Sequence, residues 1–77
     1  MTLTVKYFGM LTEATHCSEE QVPFTSGAIF DLISMLIEKY PSLKGYDFQV
    51  AQENKLVALE TDLSGGEIAL LPPFAGG

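Results

Sequence analysis

The chain has 77 residues, 47% of them apolar, with seven Gly and four Pro, a composition that makes one folded domain and leaves no room for a catalytic domain beside a binding one. Ten Asp and Glu oppose four Lys, with no Arg, for a formal charge of −6; that field repels phosphate backbones and anionic lipid, which excludes nucleic acid and membrane and makes a basic surface the complementary partner. A domain of this size hides only about 60% of the surface that its unfolded chain exposes, so deep pockets are not expected and function belongs to the surface or to a terminus.

Residues 1–10 lack the apolar run and small-residue cleavage site of a signal peptide, and nowhere does the chain approach the ~20 apolar residues of a membrane span, so the expected compartment is the cytoplasm. Thr2 to Phe8 alternates in type and is rich in Val, Tyr, Phe and Thr. That predicts a strand with Leu3, Val5 and Tyr7 on one face and Thr4, Lys6 and Phe8 on the other, stopped at Gly9. Leu11 to Ser18 reads as irregular and polar. Glu20 to Phe24 is a second, short strand that Pro23 keeps at or near a sheet edge, and the two strands suggest a hairpin with a long loop.

Ser26 is the expected N-cap of a helix in which Ile29, Leu32, Ile33, Leu36, Ile37 and Tyr40 form one face, while Asp31, Ser34 and Glu38 fall opposite; the helix ends before Pro41. Its apolar stripe must lie on a sheet, since nothing else in so short a chain can cover it. Past Gly45, Phe48 and Val50 begin another strand, Glu53-Asn54-Lys55 reads as a turn and Leu56 to Leu59 as the return partner. Ser64-Gly65-Gly66 makes the next turn. Glu67 to Leu71 is the last strand, with Ile68 and Leu70 on one face and Ala69 and Leu71 on the other, and Pro72-Pro73 ends the ladder because neither has an N–H to donate.

Strand, strand, helix, strand, strand, strand is an α+β order. A single main helix packed on one face of a mixed sheet of about five strands is the β-grasp arrangement of ubiquitin-like proteins, although the same order is compatible with another α+β roll. The end of the chain decides in favour of the first, dividing the sequence into a β-grasp domain at 1–71 and a flexible diglycine tail at 72–77.

That tail, Pro72-Pro73-Phe74-Ala75-Gly76-Gly77, cannot rejoin a sheet or helix at its prolines. Fully extended, its length is about 20 Å. Fraying is the commonest fate of terminal residues, yet a frayed end has no use for a bulky Phe74 between a stiff prolyl pair and two glycines. A tail that threads a narrow channel in another protein wants a rigid base, one anchoring side chain and a slim tip. The free carboxylate beyond the glycines is inert until one oxygen becomes part of a leaving group. Adenylation by ATP is a common way to achieve this, and sulfide or persulfide then converts the acyl group to a thiocarboxylate. The chain needs no catalytic side chain or cofactor of its own, because an adenylating partner supplies ATP, magnesium and positioning.

These residues resemble the small, sulfur-carrying subunit of molybdopterin synthase. The resemblance is carried by Val5-Lys6-Tyr7-Phe8-Gly9, by Asp31-Leu32 and Tyr40-Pro41 around the helix, by Phe48-Gln49-Val50-Ala51, and above all by Glu67-Ile68-Ala69-Leu70-Leu71-Pro72-Pro73-Phe74-Ala75-Gly76-Gly77. Diglycine alone is shared with ubiquitin-like modifiers and with the thiamine sulfur carrier; strand-Pro-Pro-aromatic-small-Gly-Gly is more specific. The chain departs from the family at Gly66, where an acid is frequent, and at Met10 and Leu11, where a basic residue is frequent. The resemblance implies a non-catalytic subunit whose Gly77 is adenylated by an enzyme related to ubiquitin activators and then thiolated by a sulfur donor protein. It further implies that the tail enters a large catalytic subunit, in a heterotetramer, where sulfur passes to cyclic pyranopterin monophosphate. Gly77 carries the sulfur, and Gly76, Ala75, Phe74 and Pro73 form the tail that the partner grips.

Strand parity adds a docking surface. With Leu3, Val5, Tyr7, Ile68 and Leu70 facing the helix, Phe8 and Leu71 fall on the opposite face, beside a tail bearing Phe74, and there they make an apolar patch of the kind that marks an interface. Folding of loop 10–18 over that face, or a bulge turning Phe8 inward, would remove it.

Other residues carry less. Cys17, the single cysteine, excludes an internal disulfide and fits a reducing compartment. His16 beside it suggests a thiol–imidazole pair, but neighbours in an extended chain point apart and no third ligand is evident, so no metal site is expected. Asp31, Glu38, Glu53, Glu60 and Asp62 read as solvated surface, and Met10, Phe30 and Met35 as helix-to-sheet packing or its margin. The alternatives to molybdopterin-directed sulfur carriage are carriage for thiamine, ubiquitin-like modification of lysines through Gly77, and a β-grasp interaction module with an inert tail.

Overall fold

In a computed structural model that describes residues 2–24 and 26–73, the first and last strands lie side by side. Strand β1 (Thr2–Tyr7) pairs in parallel with β5 (Glu67–Leu71), with Val5 opposite Ile68 and Tyr7 opposite Leu70. The hairpin partner of β1, strand β2 (Glu19–Pro23), is an antiparallel edge, as Pro23 requires. On the other side of β5 run β3 (Gln49–Gln52) and the two-residue β4 (Lys55–Leu56), both antiparallel, giving the order β2-β1-β5-β3-β4. The main helix, α2 (Ile29–Lys39), lies across one face, so the α+β, β-grasp expectation holds.

Alternation decides which residues are buried. Leu3, Val5, Tyr7, Ile68 and Leu70 are closed off against Ile29, Leu32, Ile33 and Leu36 of α2, with Val22, Val50 and Leu43 completing the core. Each large aliphatic side chain so buried contributes about 1.5–3 kcal/mol.

Three local expectations are corrected. The helix starts at Ile29, with Ala28 rather than Ser26 at the N-cap. Its first amides are claimed by the returning loop: Ile29 N–H donates to the Thr61 carbonyl and Phe30 N–H to that of Leu59, both at 2.8 Å, while the Asp31 carboxylate accepts from Ala28 N–H at 2.9 Å. The same claim ends β4 early, because Leu59 turns to meet the helix instead of continuing along β3. The segment after β1 is not irregular: α1 (Leu11–Thr15) buries Leu11, Ala14 and Thr15, and closes at His16, whose left-handed φ of 64° lets its N–H reach the Thr12 carbonyl at 2.7 Å. Two apolar positions three apart were too sparse a period to signal it. A 3-10 turn, Pro41–Gly45, then carries Leu43 into the core.

The β3–β4 turn is two residues long, Glu53 and Asn54, both at positive φ (50° and 68°), the mirror-type turn whose twist suits a hairpin.

Candidate functional site

The sheet face away from α2 has no element on it among the described residues. Its residues alternate with the core: Lys6 and Phe8 on β1 and just beyond it, Ala69 and Leu71 on β5, Ala51 on β3, Leu56 on β4. Register aligns Leu56, Ala51, Ala69 and Lys6 in one row across four strands. Two alanines therefore form the floor of a groove of about 450 Å³ with Phe8, Leu71 and Leu56 as its larger walls. Phe8 is 43% exposed and Leu56 58%. No residue of the 10–18 segment lines this groove, because α1 turns its buried side chains toward the core instead.

The lysine on this face is paired. Lys6 Nζ stands 3.0 Å from Glu67 Oε2, and the hydrogen bond to Glu67 holds the lysine pKa above its ordinary value. The face thus presents apolar surface with the Lys6–Glu67 pair at its margin, where Glu19 stands opposite Lys6 on β2.

At the exit of β5 the backbone is tightly constrained. Phe8 N–H donates to the Leu70 carbonyl at 3.1 Å, extending the parallel ladder one step past β1. Gly9 follows at φ +59°, and a Cβ built on it would lie 2.7 Å from Cγ of Pro72. The first tail proline is seated where only glycine leaves space. Pro72 and Pro73 are themselves exposed and outside the sheet. Phe74, Ala75, Gly76 and Gly77, named above as tail and as the adenylation and thiocarboxylate site, lie outside the described residues.

The far side of the domain is organised differently. Tyr7 and Tyr40 hydroxyls both donate to Glu20 Oε2 at 2.7 Å, and Lys39 Nζ donates to Oε1 at 2.6 Å. The two rings meet edge to face, centroids 6.2 Å apart. Burial pushes the Glu20 pKa up, but the three donors outweigh it and hold the carboxyl below its ordinary range. Burial and the bond to Glu20 push Tyr40 up to about 12 and Tyr7 further still. This clamp fastens edge strand β2 to the C-terminus of α2; Glu20 gave no sign in the sequence of being anything but surface.

Cys17 is half-buried, its Sγ 4.0 Å from Glu20 Oε2, and His16 is exposed. Among the described residues no three His, Cys, Asp or Glu side chains gather as metal ligands, and no helix is long and apolar enough to cross a membrane. At Gly66 the place of an acid is taken from across the turn: a Cβ there would meet Glu53 Oε1 at 2.5 Å, and that oxygen accepts from Ser64 Oγ at 2.8 Å. A second groove, about 470 Å³ between α2 and the β3–β4 hairpin, is lined by Ile33, Phe48, Val50 and Val57 and includes neither the tail prolines nor Phe8.

Comparison with known proteins accords with this geometry. The model of the ThiS family matches residues 5–77. Subunit 1 of the molybdopterin-converting factor from Helicobacter pylori 26695, in a structure of the complex of subunits 1 and 2, is 28% identical over the whole of both chains, with a TM-score of 0.71. Small archaeal modifier protein 1 from Methanosarcina acetivorans is 26% identical over 99% of this chain and 96% of its own, at 0.78. A Pyrococcus furiosus protein described as molybdopterin converting factor, subunit 1, shares the fold at a TM-score of 0.86 and 22% identity, covering 96% of this chain and 99% of its own. No curated protein sequence matches at a significant level.

Proposed function

The chain belongs to the ThiS family, with the fold of ubiquitin-like sulfur carriers, and from that premise we propose that it carries sulfur on its C-terminal glycine for molybdopterin synthesis. The observation that carries the reading is the coincidence at one end of the sheet: an apolar face bearing Phe8 and Leu71, with no element across it among the described residues, and beside it a sequence that runs from the central strand through two prolines and Phe74 to Gly76-Gly77.

In the proposed cycle a Gly77 carboxylate oxygen attacks the α-phosphorus of ATP and expels pyrophosphate, in an activating enzyme related to ubiquitin activators that holds the nucleotide and magnesium. Hydrosulfide from a sulfur donor then attacks the acyl carbon and expels AMP, leaving the thiocarboxylate. In the large synthase subunit the thiocarboxylate sulfur attacks a side-chain carbon of cyclic pyranopterin monophosphate and displaces an oxygen from that carbon, as water or as the phosphate ester oxygen; water then cleaves the acyl–sulfur bond, which returns the Gly77 carboxylate and leaves the sulfur on the pterin. Two carriers in a heterotetramer serve the two sulfurs of the dithiolene. The large subunit grips Phe8 and Leu71 while the tail, with Phe74 as anchor and Gly76 as slim passage, enters its active site. The Helicobacter pylori complex of subunits 1 and 2 supports a partner of this kind. The chain is thereby a non-catalytic, sulfur-donating subunit of the cytoplasm, with no bound cofactor of its own.

A second reading draws on the Methanosarcina acetivorans modifier protein: the same activated Gly77 joined to lysines of other proteins. A third, sulfur carriage for thiamine, uses the same chemistry with a thiazole synthase as acceptor. The deciding experiment is intact-mass analysis after incubation with a candidate activating enzyme, ATP and sulfide. The carrier reading predicts a gain equal to replacement of one oxygen by sulfur, confined to the C-terminal fragment, and conversion of cyclic pyranopterin monophosphate when the large subunit is added. Isopeptide adducts in lysates without a thiocarboxylate would favour the modifier, and transfer only to a thiazole synthase the thiamine role.

A further inference from the structure

We infer that Gly9 is a positioning residue, one that sets the direction in which the tail leaves the sheet. The inference rests on the carrier reading for its functional consequence and on the structure for its geometry. Three observations meet at this point. The parallel ladder of β1 and β5 runs one bond past β1, where Phe8 N–H donates to Leu70 O, so the two chains are still in register when the tail begins. The next residue on one side is Gly9, at φ +59°. The next on the other side of Leu71 is Pro72, whose Cγ lies 2.7 Å from where a Gly9 Cβ would be, with Cδ at 3.6 Å and Cβ at 3.9 Å.

Real Cβ atoms do not tolerate the first of these distances, and Pro72 has little freedom to withdraw because its ring fixes φ. Any side chain at position 9 therefore moves the root of the tail as a unit. When the tail is threaded into a partner's channel, a displacement at its root is carried toward the reacting carboxylate of Gly77, five residues on from Pro72. Misplacing a reacting group by an ångström costs about 100-fold in rate where the channel cannot adjust. Gly9 thus acts on Gly77 through Pro72. In the sequence Gly9 reads as the end of a strand and as part of the Val5-to-Gly9 resemblance, and neither reading points to Pro72.

The two effects at Gly9 separate cleanly. Positive φ strains any L side chain, whatever its neighbours, whereas the collision belongs to the pair. Replacing Pro72 with Ala deletes Cγ and Cδ and leaves only Cβ, at an ordinary contact distance. The test uses the full chain as wild type, Gly9→Ala, Pro72→Ala and the double variant. Each is followed by amide NMR and thermal melting for the fold, by NOEs between residue 9 and the Pro72 side chain for the contact, and by single-turnover mass gain at Gly77 with activating enzyme, ATP and sulfide. The inference predicts that Gly9→Ala keeps a folded spectrum, shifts the resonances of residues 71–73 and slows mass gain about tenfold or more. Adding Pro72→Ala recovers most of that rate relative to Pro72→Ala alone, although the melting temperature stays lowered by the backbone strain. Mass gain at the wild-type rate in Gly9→Ala overturns it, as does a slowed rate that Pro72→Ala fails to relieve and that tracks stability instead. Should the wild type itself gain no sulfur, the carrier reading falls, and the geometry is judged by the NOEs alone: their absence between Gly9 and Pro72 in the wild type overturns it.

Discussion

On the helix side of the sheet, Leu3, Val5, Ile68 and Leu70 are fully enclosed by α2, and at its margin Tyr7, Tyr40 and Lys39 all converge on the Glu20 carboxylate. On the other side Phe8 and Leu56 stand half in water over a floor of Ala51 and Ala69, with no element across them among the described residues. Both faces are apolar. The difference is that one is covered within the chain and the other has no cover among the described residues, so substitutions on the first should cost stability and, on the proposed function, substitutions on the second should cost association.

The largest effect expected of that contrast lies in the core. Leu36→Ala removes a side chain with no solvent exposure and should cost about 2–5 kcal/mol, read as a lowered denaturant midpoint at unchanged slope. In a domain whose total stability is about 5–15 kcal/mol, that is a large fraction of the whole. A loss below about 1 kcal/mol would mean that the helix side is not the closed face.

Next comes the clamp. Glu20→Ala strips the acceptor from two hydroxyls; the Tyr40 oxygen can turn to water, but Tyr7 is 2% exposed, so the expected loss is about 1–2 kcal/mol. Glu20→Gln, which retains an acceptor, should lose less.

The clamp also sets the pH limits in a smaller way. Glu20 titrates below 4.5 in the folded chain, so its contribution is complete above that value and fades as pH falls through the folded pKa. The tyrosines behave oppositely. Their folded pKa values are raised from 10, to about 12 for Tyr40 and beyond for Tyr7, so stability is whole below pH 10 and declines as pH climbs past it. Chemical denaturation across both limbs checks the signs, and Glu20→Gln should flatten the acid limb.

Sequence made one side of this comparison more legible than the other. Alternation in Thr2–Tyr7 and Glu67–Leu71 and the three-and-four spacing of Ile29 to Leu36 report burial directly, because burial is what selects apolar residues at those intervals. The same parity exposed Phe8 and Leu71. What stayed hidden depends on contacts between distant segments: Glu20 meets Tyr40 across 20 residues, the start of α2 is fixed by carbonyls of Leu59 and Thr61, and Gly9 matters only because Pro72 arrives beside it. No local period encodes a meeting of that kind. The α1 turn stays hidden for a related reason, since Leu11 and Ala14 owe their burial to the core they reach rather than to a pattern they repeat.

The measurement that bears most directly on the open face is made on Phe8→Asp, with thermal melting of the free chain and titration against the large synthase subunit carried out side by side. On the proposed function, the variant keeps a melting temperature within a few degrees of wild type and normal adenylation of Gly77, while its affinity for the large subunit falls at least tenfold. Unfolding of the variant would place Phe8 in the core, and unchanged affinity would show that the partner binds elsewhere.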